Sequence, residues 1–413
     1  MADRATARRG ATAKRGDAPV RTTKLRVVRT PARRVRKDPV AAARAARTNM
    51  ILLLVPAALL TAIGVIEVFS ARSVYAFTTY DNSFWFLERQ GIYAAIGIGA
   101  LLVTARMRYA AWRRLSGPLL VISVALLLLA LHPTAGSSVY GASRWIGLGP
   151  FTLQPSEIAK LSLVAFAATV LTHKEGKLDN WIHLALPLGP IVLMVAAIVM
   201  LQRDLGTTIV IVGSVLMMLF VAGARLRHLV ITGVVTLGGL AYLIFGESYR
   251  RARFFSFFDP WKDPLNSGYQ LIQGLIALGS GGWFGVGLGA SRQKWAYLPN
   301  AHTDFIFAVL GEEMGLIGEF VVLIAFGVMI YAGIRISVRA PDTFGRLLAA
   351  GITSWIGLQA IVNLGAVTGL LPITGVPLPF VSFGGTALIV TLGAVGVLAS
   401  IARAGGPTRR AAA

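Results

Sequence analysis

The sequence has no cysteine, which excludes thiolate metal sites, a disulfide framework and a cysteine nucleophile. It is also poor in charge. Only 14% of its 413 residues are Asp, Glu, Lys or Arg, against roughly 25% in soluble domains. Acids are scarcer still: 18 Asp and Glu face 40 Lys and Arg, a formal net charge of +22. With 55% apolar residues and a mean hydropathy of +0.68, a water-soluble enzyme and a disordered chain are excluded as well. What the chain does have is a succession of long apolar runs.

A helix needs about 20 apolar residues to cross the hydrocarbon of a bilayer. Ten such runs follow Met50, near 50–71, 86–104, 116–132, 157–172, 181–201, 206–223, 228–246, 305–334, 347–368 and 378–402. The fold class expected is therefore all-α: a polytopic membrane protein with ten transmembrane helices. Residues 1–48 carry 15 Lys/Arg and three acids and almost nothing apolar, so they read as a disordered basic cytoplasmic tail. Such a tail sets topology, touches anionic lipid or an acidic partner, or, being Arg/Ala-rich and acid-poor, resembles a transit peptide. Residues 49–403 form the membrane domain, and 404–413 a cytoplasmic C-terminal tail. With both termini inside, the inside segments hold 29 Lys/Arg against six acids, and the rest of the chain 11 against 12. The net charge of +22 is then a positive-inside signal and calls for no nucleic acid.

Two outside segments are too long or too polar to be simple connections: 133–156, and the large extracytoplasmic loop 247–304 between helices 7 and 8. The run Phe254-Phe255-Ser256-Phe257-Phe258 and the stretch from Gly268 to Leu278 suggest interfacial helices. The Pro- and Gly-rich segment 369–383 is irregular backbone, tolerated at that depth only where it lines a cavity or is covered by protein. Gly285-x-Gly287-x-x-Ala290 has no strand–turn–helix context and is rejected as a dinucleotide fingerprint.

Charges at or inside a membrane are costly and mark function. Five clusters stand out at the outer face. Arg144 lies in the first long loop. Glu157 and Lys160, at i and i+3, open the fourth span. They read either as an internal ion pair or as a cation held near an anionic ligand. Asp204 stands in a short turn, where a helix cap is the plainest reading. Lys294, His302 and Asp304 run into the eighth span, where partial desolvation would raise the Asp304 pKa and suit a general base or metal ligand. Glu312 and Glu313 lie two turns further on, one of them expected to face the bundle interior. Cations suit an anionic group such as phosphate, and a nearby carboxylate suits hydroxyl activation. The residues alone suggest chemistry on, or transport of, an anionic lipid-linked substrate.

These stretches resemble the SEDS family (shape, elongation, division and sporulation) of peptidoglycan glycosyltransferases, whose branches include FtsW and RodA. The matching text is Arg144-Trp145-Ile146, Gln154 to Lys160, Asp204-Leu205-Gly206-Thr207, Gly268-Tyr269-Gln270, Gly279 to Gly282, Leu298-Pro299, His302 to Ala308, Gly311-Glu312-Glu313 and Gly369 to Pro372. The likeness spans roughly residues 50–402. Gly289-x-Ser291-Arg292-Gln293-Lys294 and Tyr297-Leu298-Pro299 read like the FtsW branch, whereas Pro377-Leu378-Pro379-Phe380 leans towards RodA.

The resemblance implies a polymerase of lipid II, an undecaprenyl-pyrophosphate-linked substrate, in the bacterial cytoplasmic membrane. It implies a class B penicillin-binding transpeptidase and other division-complex membrane proteins as partners, with septal synthesis as the role. Asp304 becomes the essential carboxylate, read as the base for the acceptor hydroxyl. Arg144, Glu157 and Lys160 match functional positions of the cavity, with Arg144 and Lys160 assigned to the pyrophosphate and Lys294 and His302 to the same substrate site. A Mg²⁺ or Mn²⁺ ion, with Asp304 and Glu157 as ligands, would share the work. Asn300, Arg203 and Phe383-Gly384-Gly385-Thr386-Ala387 depart from the family pattern, where Glu, Pro and Tyr-Gly-Gly-Ser-Ser are usual. A RodA-like elongation polymerase, a lipid II flippase and a non-enzymatic division scaffold are the competing readings. A flippase should show a polar path through the membrane and discontinuous helices, with Glu67 and Glu319 the inner candidates.

Overall fold

The computed structural model describes residues 39–132, 136–139, 142–149, 151–175, 181–295 and 297–405. The expectations for residues 1–38 and 406–413 lie outside the described residues. Ten long helices appear where ten spans are expected: α1 (Pro39–Tyr80), α2 (Trp85–Arg106), α3 (Ala111–Ala130), α4 (Pro155–His173), α5 (Trp181–Leu201), α6 (Leu205–Ala222) and α7 (Leu226–Phe245), then α10 (Ile306–Arg339), α11 (Thr343–Val367) and α12 (Gly385–Ala404). Between α7 and α10 lie two shorter helices, α8 (Ser248–Phe258) and α9 (Tyr269–Ser280), as the aromatic and amphipathic stretches suggested. Nine of the long helices are, among the described residues, long and apolar enough to cross a membrane. The apolar part of α5 described with side chains is shorter, Pro187–Leu201.

Two boundaries differ from expectation. α1 begins at Pro39, so residues 39–48 of the expected tail are helical. Their Ala-rich sequence favours helix, and Arg44 and Arg47 are good helix formers as well. The last span was expected from 378, but α12 starts at Gly385. Pro377 and Pro379 cannot donate to a helix ladder, and Phe380 takes a positive φ of 66°.

The segment after α3 adds what an all-helical reading leaves out, a three-stranded antiparallel sheet in the order β1 (Gly136–Val139), β2 (Ala142–Leu148), β3 (Phe151–Leu153). These strands are too short to carry a clear alternation, which hides them in the sequence. The sheet leads straight into α4. Thr386 at the start of α12 ties this junction down: its hydroxyl accepts from the Gln154 N–H (3.1 Å) and donates to the Thr152 carbonyl (3.2 Å).

α2 packs against α12, α3 against α4, and α1 against α10, while α11 touches α4, α6 and α10. α4, α11 and α12 are the most enclosed of the long helices. α7 buries almost nothing and contacts α6 and α8.

α10 is broken once. Gly315 has φ 64° and ψ −168° inside the helix. The segment 282–287 is spliced into the break. Leu316 and Ile317 donate to the Gly282 and Trp283 carbonyls, and the Glu312 and Glu313 carbonyls accept from Val286 and Gly287. A Cβ at Gly315 would come within 2.3 Å of the Gly285 nitrogen, so only glycine fits.

Candidate active site

The loops at one end of the bundle converge on Asp304. It ends a turn opened by Asn300, whose φ of 54° is left-handed and whose carbonyl accepts from the N–H groups of Thr303 (3.1 Å) and Phe305 (3.3 Å). Asn tolerates that conformation better than most residues, so the Asn300 departure concerns the path of the turn. The Asp304 carbonyl is held by the Asn363 side-chain amide of α11 at 2.8 Å, and the same amide group donates to Val376 at 2.7 Å. The Asp304 carboxyl has no hydrogen-bond partner among the described residues and is half-buried. Its Oδ2 would lie 3.5 Å from a Cβ at Gly375, so it sits against the 369–384 loop.

Burial pushes the Asp304 carboxyl up to about 6. The guanidiniums of Arg253 and Arg144 pull it back down, and the Asp204 carboxylate pushes it up. Such a group is ionised at neutral pH and still basic enough to take a proton.

Arg144 reaches this region through a β-bulge. Ser137 pairs with Trp145 and Ser138 with Ser143, leaving Arg144 as the extra residue of β2. Bulges re-aim side chains in this way. The Arg144 guanidinium donates to the carbonyls of Gln202 (3.3 Å) and Arg203 (2.5 Å). Arg203 has φ 60°, which a proline could not adopt, so this departure from the family pattern also has a local backbone reason. With Asn300 and Phe380, Arg203 makes three of the four non-glycine residues of positive φ among the described residues. All three lie in the turns carrying or flanking Asp304 and Asp204, and such strain gathers at functional sites. Asp204 itself is the N-cap of α6, accepting from the Thr207 N–H (3.1 Å) and hydroxyl (2.9 Å).

Lys160 and Glu157 are buried, 3% and 1% exposed. The Lys160 ammonium donates to Glu157 Oε1 (2.8 Å) and Gln359 Oε1 (2.6 Å), and lies 5.1 Å from the Trp355 ring centre. Gln359 passes the link on, donating to the Pro377 carbonyl at 3.0 Å. Gln359 and Asn363 are one turn apart on α11, so a continuous polar chain runs from Lys160 through the 376–377 backbone to Asp304. The ion-pair reading of Glu157 and Lys160 is the one this geometry favours, and the ammonium assigned to the pyrophosphate makes two hydrogen bonds within the protein.

His302 and Lys294 are likewise engaged elsewhere. The Nε2 atom of His302 lies 3.3 Å from the Arg72 guanidinium of α1, and its ring meets Phe86 and Phe383 at 5.8 Å each. Burial first, and then Arg72, holds the His302 pKa down to about 3, so the ring is neutral at physiological pH. Nε2 faces a donor and so acts as acceptor, which puts the ring proton on Nδ1. Lys294 donates to the Gly289 carbonyl.

Both Glu312 and Glu313 face inward, where only one was expected to. Glu313 accepts from the Ser70 hydroxyl (2.5 Å) and the N–H groups of Gly289 (3.0 Å) and Ser291 (3.3 Å). Glu312 accepts from the Ser291 hydroxyl (2.5 Å) and the Arg292 N–H (3.2 Å). The pair fastens the segment spliced into α10.

Among the described residues no group of three or more His, Asp or Glu is arranged to hold a metal ion. Of the two expected ligands, Glu157 gives Oε1 to Lys160, while its buried Oε2 has no hydrogen-bond partner among the described residues. Asp204, whose charge Asp304 feels, spends both oxygens on Thr207. Among the described residues these carboxylates do not gather into a three-ligand Mg²⁺ or Mn²⁺ site.

Sequence reasoning missed Arg253, whose charge acts on Asp304 from α8 and whose side chain bonds Gln270 at 3.3 Å. Only the aromatic run beside it stood out. It also missed Gln359 and Asn363, two polar residues at i and i+4 in an apolar span, a costly pattern that could have marked them.

The FtsW/RodA/SpoVE family model, described as cell cycle protein, matches residues 50–405. Stage V sporulation protein E of Bacillus subtilis (strain 168) is 46% identical over 353 residues, 86% of this chain and 96% of that protein. The probable peptidoglycan glycosyltransferase FtsW of Geobacter metallireducens is 44% identical over 355 residues, 86% and 94% of the two chains. Among solved structures, a chain of a peptidoglycan synthase complex that coordinates polymerization and crosslinking superposes with a TM-score of 0.71 at 28% identity, covering 86% of this chain and 98% of that one. The rod shape determining protein RodA of Thermus thermophilus superposes with a TM-score of 0.62 at 29% identity, covering 85% and 95%.

Proposed function

From its membership of the FtsW/RodA/SpoVE family, to which this chain belongs, we propose that it polymerises lipid II into glycan strands at the end of the bundle that carries Asp304. The protein is a multi-pass membrane peptidoglycan glycosyltransferase. The observation that carries the mechanism is the Asp304 carboxyl, unpartnered among the described residues and lying in the field of two guanidiniums.

Asp304 takes the proton from the attacking sugar hydroxyl as the new C–O bond forms at the anomeric carbon of the donor. The bond from that carbon to the pyrophosphate breaks, and its electron pair leaves with the undecaprenyl diphosphate. Arg253 and Arg144 stabilise the charge that develops on the leaving group. Lys160 and Glu157 act at one remove, by fixing the 376–377 backbone against Asn363. This chemistry assigns no step to a metal ion.

The charge distribution supports a reading with both termini in the cytoplasm and Asp304 at the outer face. The likeness to FtsW supports septal synthesis, and the match to a synthase complex supports a class B penicillin-binding transpeptidase as partner. A flippase reading has two observations in its favour: Glu67 of α1, 0% exposed with neither carboxyl oxygen hydrogen-bonded among the described residues, and the break in α10. There, however, the freed backbone groups are satisfied by residues 282–287, which leaves no open helix end to hold a substrate.

The test is polymerisation of lipid II by the protein purified with its transpeptidase, in the presence of moenomycin. Polymer from wild type but not from Asp304→Asn supports the proposal. Equal polymer from both variants rejects the mechanism, and lipid II crossing vesicles without polymer supports transport instead.

A further inference from the structure

At the opposite end of the bundle, a groove of about 620 Å³ lies between the first turns of α1 and the end of α12. Arg47, Met50, Ile51, Leu54 and Val55 line it at i, i+3, i+4, i+7 and i+8, one continuous face of α1. Arg403 in the last turn of α12 completes the rim, its guanidinium anchored on the Ala105 carbonyl at the end of α2. Ile51 and Val55 are 51% and 59% exposed, so no described helix covers the floor.

The arrangement has a direction. Two guanidiniums stand at the polar rim, and an apolar floor runs from them towards the hydrocarbon. That matches one kind of ligand, an amphiphile with an anionic phosphate head and acyl chains. We propose that this groove is a binding site for an anionic phospholipid of the adjacent leaflet, with the phosphate between Arg47 and Arg403 and a chain along Met50, Leu54 and Val55. The chain's own N-terminal segment suits the groove poorly, because residues 1–38 carry 13 Lys/Arg and three Asp. The lipid-linked substrate reacts at the other end of the bundle.

The full-length protein in detergent, titrated with phosphatidylglycerol or phosphatidylcholine of the same chains and followed by native mass spectrometry, tests the site. Wild type is expected to retain phosphatidylglycerol about 30-fold better, the preference that two basic residues at about 1 kcal/mol each give. The Arg47→Gln/Arg403→Gln variant should lose that preference, and the corresponding double Lys variant should keep most of it. Both arginines are exposed, so an unchanged melting temperature without added lipid serves as the folding control. No preference in wild type, or an undiminished one in the Gln variant, overturns the proposal. So does a preference that disappears only when residues 1–38 are removed, which would assign the lipid to the basic tail.

Discussion

Asp304 and the Glu312–Glu313 pair lie within ten residues of each other, yet they are treated in opposite ways. The two glutamates are 2% and 1% exposed, and each is matched by hydroxyl and backbone N–H donors. Asp304 is held by its backbone, and its carboxyl is left without a donor beside two arginines. A buried carboxylate that is fully bonded supports structure, and its charge is spent on its donors. One that is partly desolvated, unbonded and near cations retains its basicity for a reaction. The charge of these side chains therefore says less than the count of donors around them.

The widest separation between the two regions should come from Asp304→Asn. Loss of the base is expected to reduce polymerisation about 10³-fold, within the usual range for general base catalysis. The same variant should not destabilise the protein. The folded-state pKa of about 6 lies above the ordinary 3.8, so this carboxyl favours folding below the unfolded value and loses that contribution as pH rises through about 6. At neutral pH the ionised group is a net cost, and Asn removes it. Thermal melting of the purified variant should be equal to or above wild type; a marked fall would make Asp304 structural.

Glu313→Ala should do the reverse. It strips the acceptor from Ser70, Gly289 and Ser291, and leaving a buried donor unsatisfied costs about 1–3 kcal/mol. The expected result is a lower melting temperature and faster proteolysis in the segment 281–292, with activity lost in proportion to folded protein. A variant that melts like wild type but makes no polymer would move Glu313 into the reaction.

Ten helices were legible in the sequence because hydropathy and the positive-inside rule are properties of composition, and Asp304 because it stands at the edge of an apolar run. The helical break was not, since Gly315 resembles any membrane glycine until the 282–287 backbone is seen against it. Lys160 shows the limit for sites. Its spacing from Glu157 pointed to one helix face, but the choice between ion pair and ligand depends on Gln359 and Trp355, some 200 residues away on α11. Arg253 was hidden for the same reason: its charge reaches Asp304 only through the fold.

A smaller effect separates the arginines. Arg253 is the larger of the two cationic influences lowering the Asp304 pKa, and Arg144 the lesser. Removing a cation that favours the carboxylate must raise its pKa, so the acidic limb of the pH–rate profile should move to higher pH in Arg253→Gln and move less in Arg144→Gln. Measured as log(kcat/KM) against pH, the wild-type limb should lie near 6. A limb unmoved in both variants would mean that the titrating group is not Asp304.

The slightest change expected is in Asn300→Gly. Asn300 holds φ 54° at the start of the Asp304 turn and accepts hydrogen bonds there through its backbone carbonyl. Glycine keeps that carbonyl and relieves the left-handed strain, at the cost of more freedom in the unfolded chain. These terms oppose each other at about 1 kcal/mol or less, so melting temperature and polymerisation should both stay near wild type. Asn300→Val keeps the carbonyl as well, but its β-branched side chain resists positive φ. It should reduce activity by displacing the turn that carries Asp304. If glycine is as damaging as valine, the Asn300 side chain takes part in substrate binding, and the contrast between a held backbone and an unbonded carboxyl would have to extend to a third group.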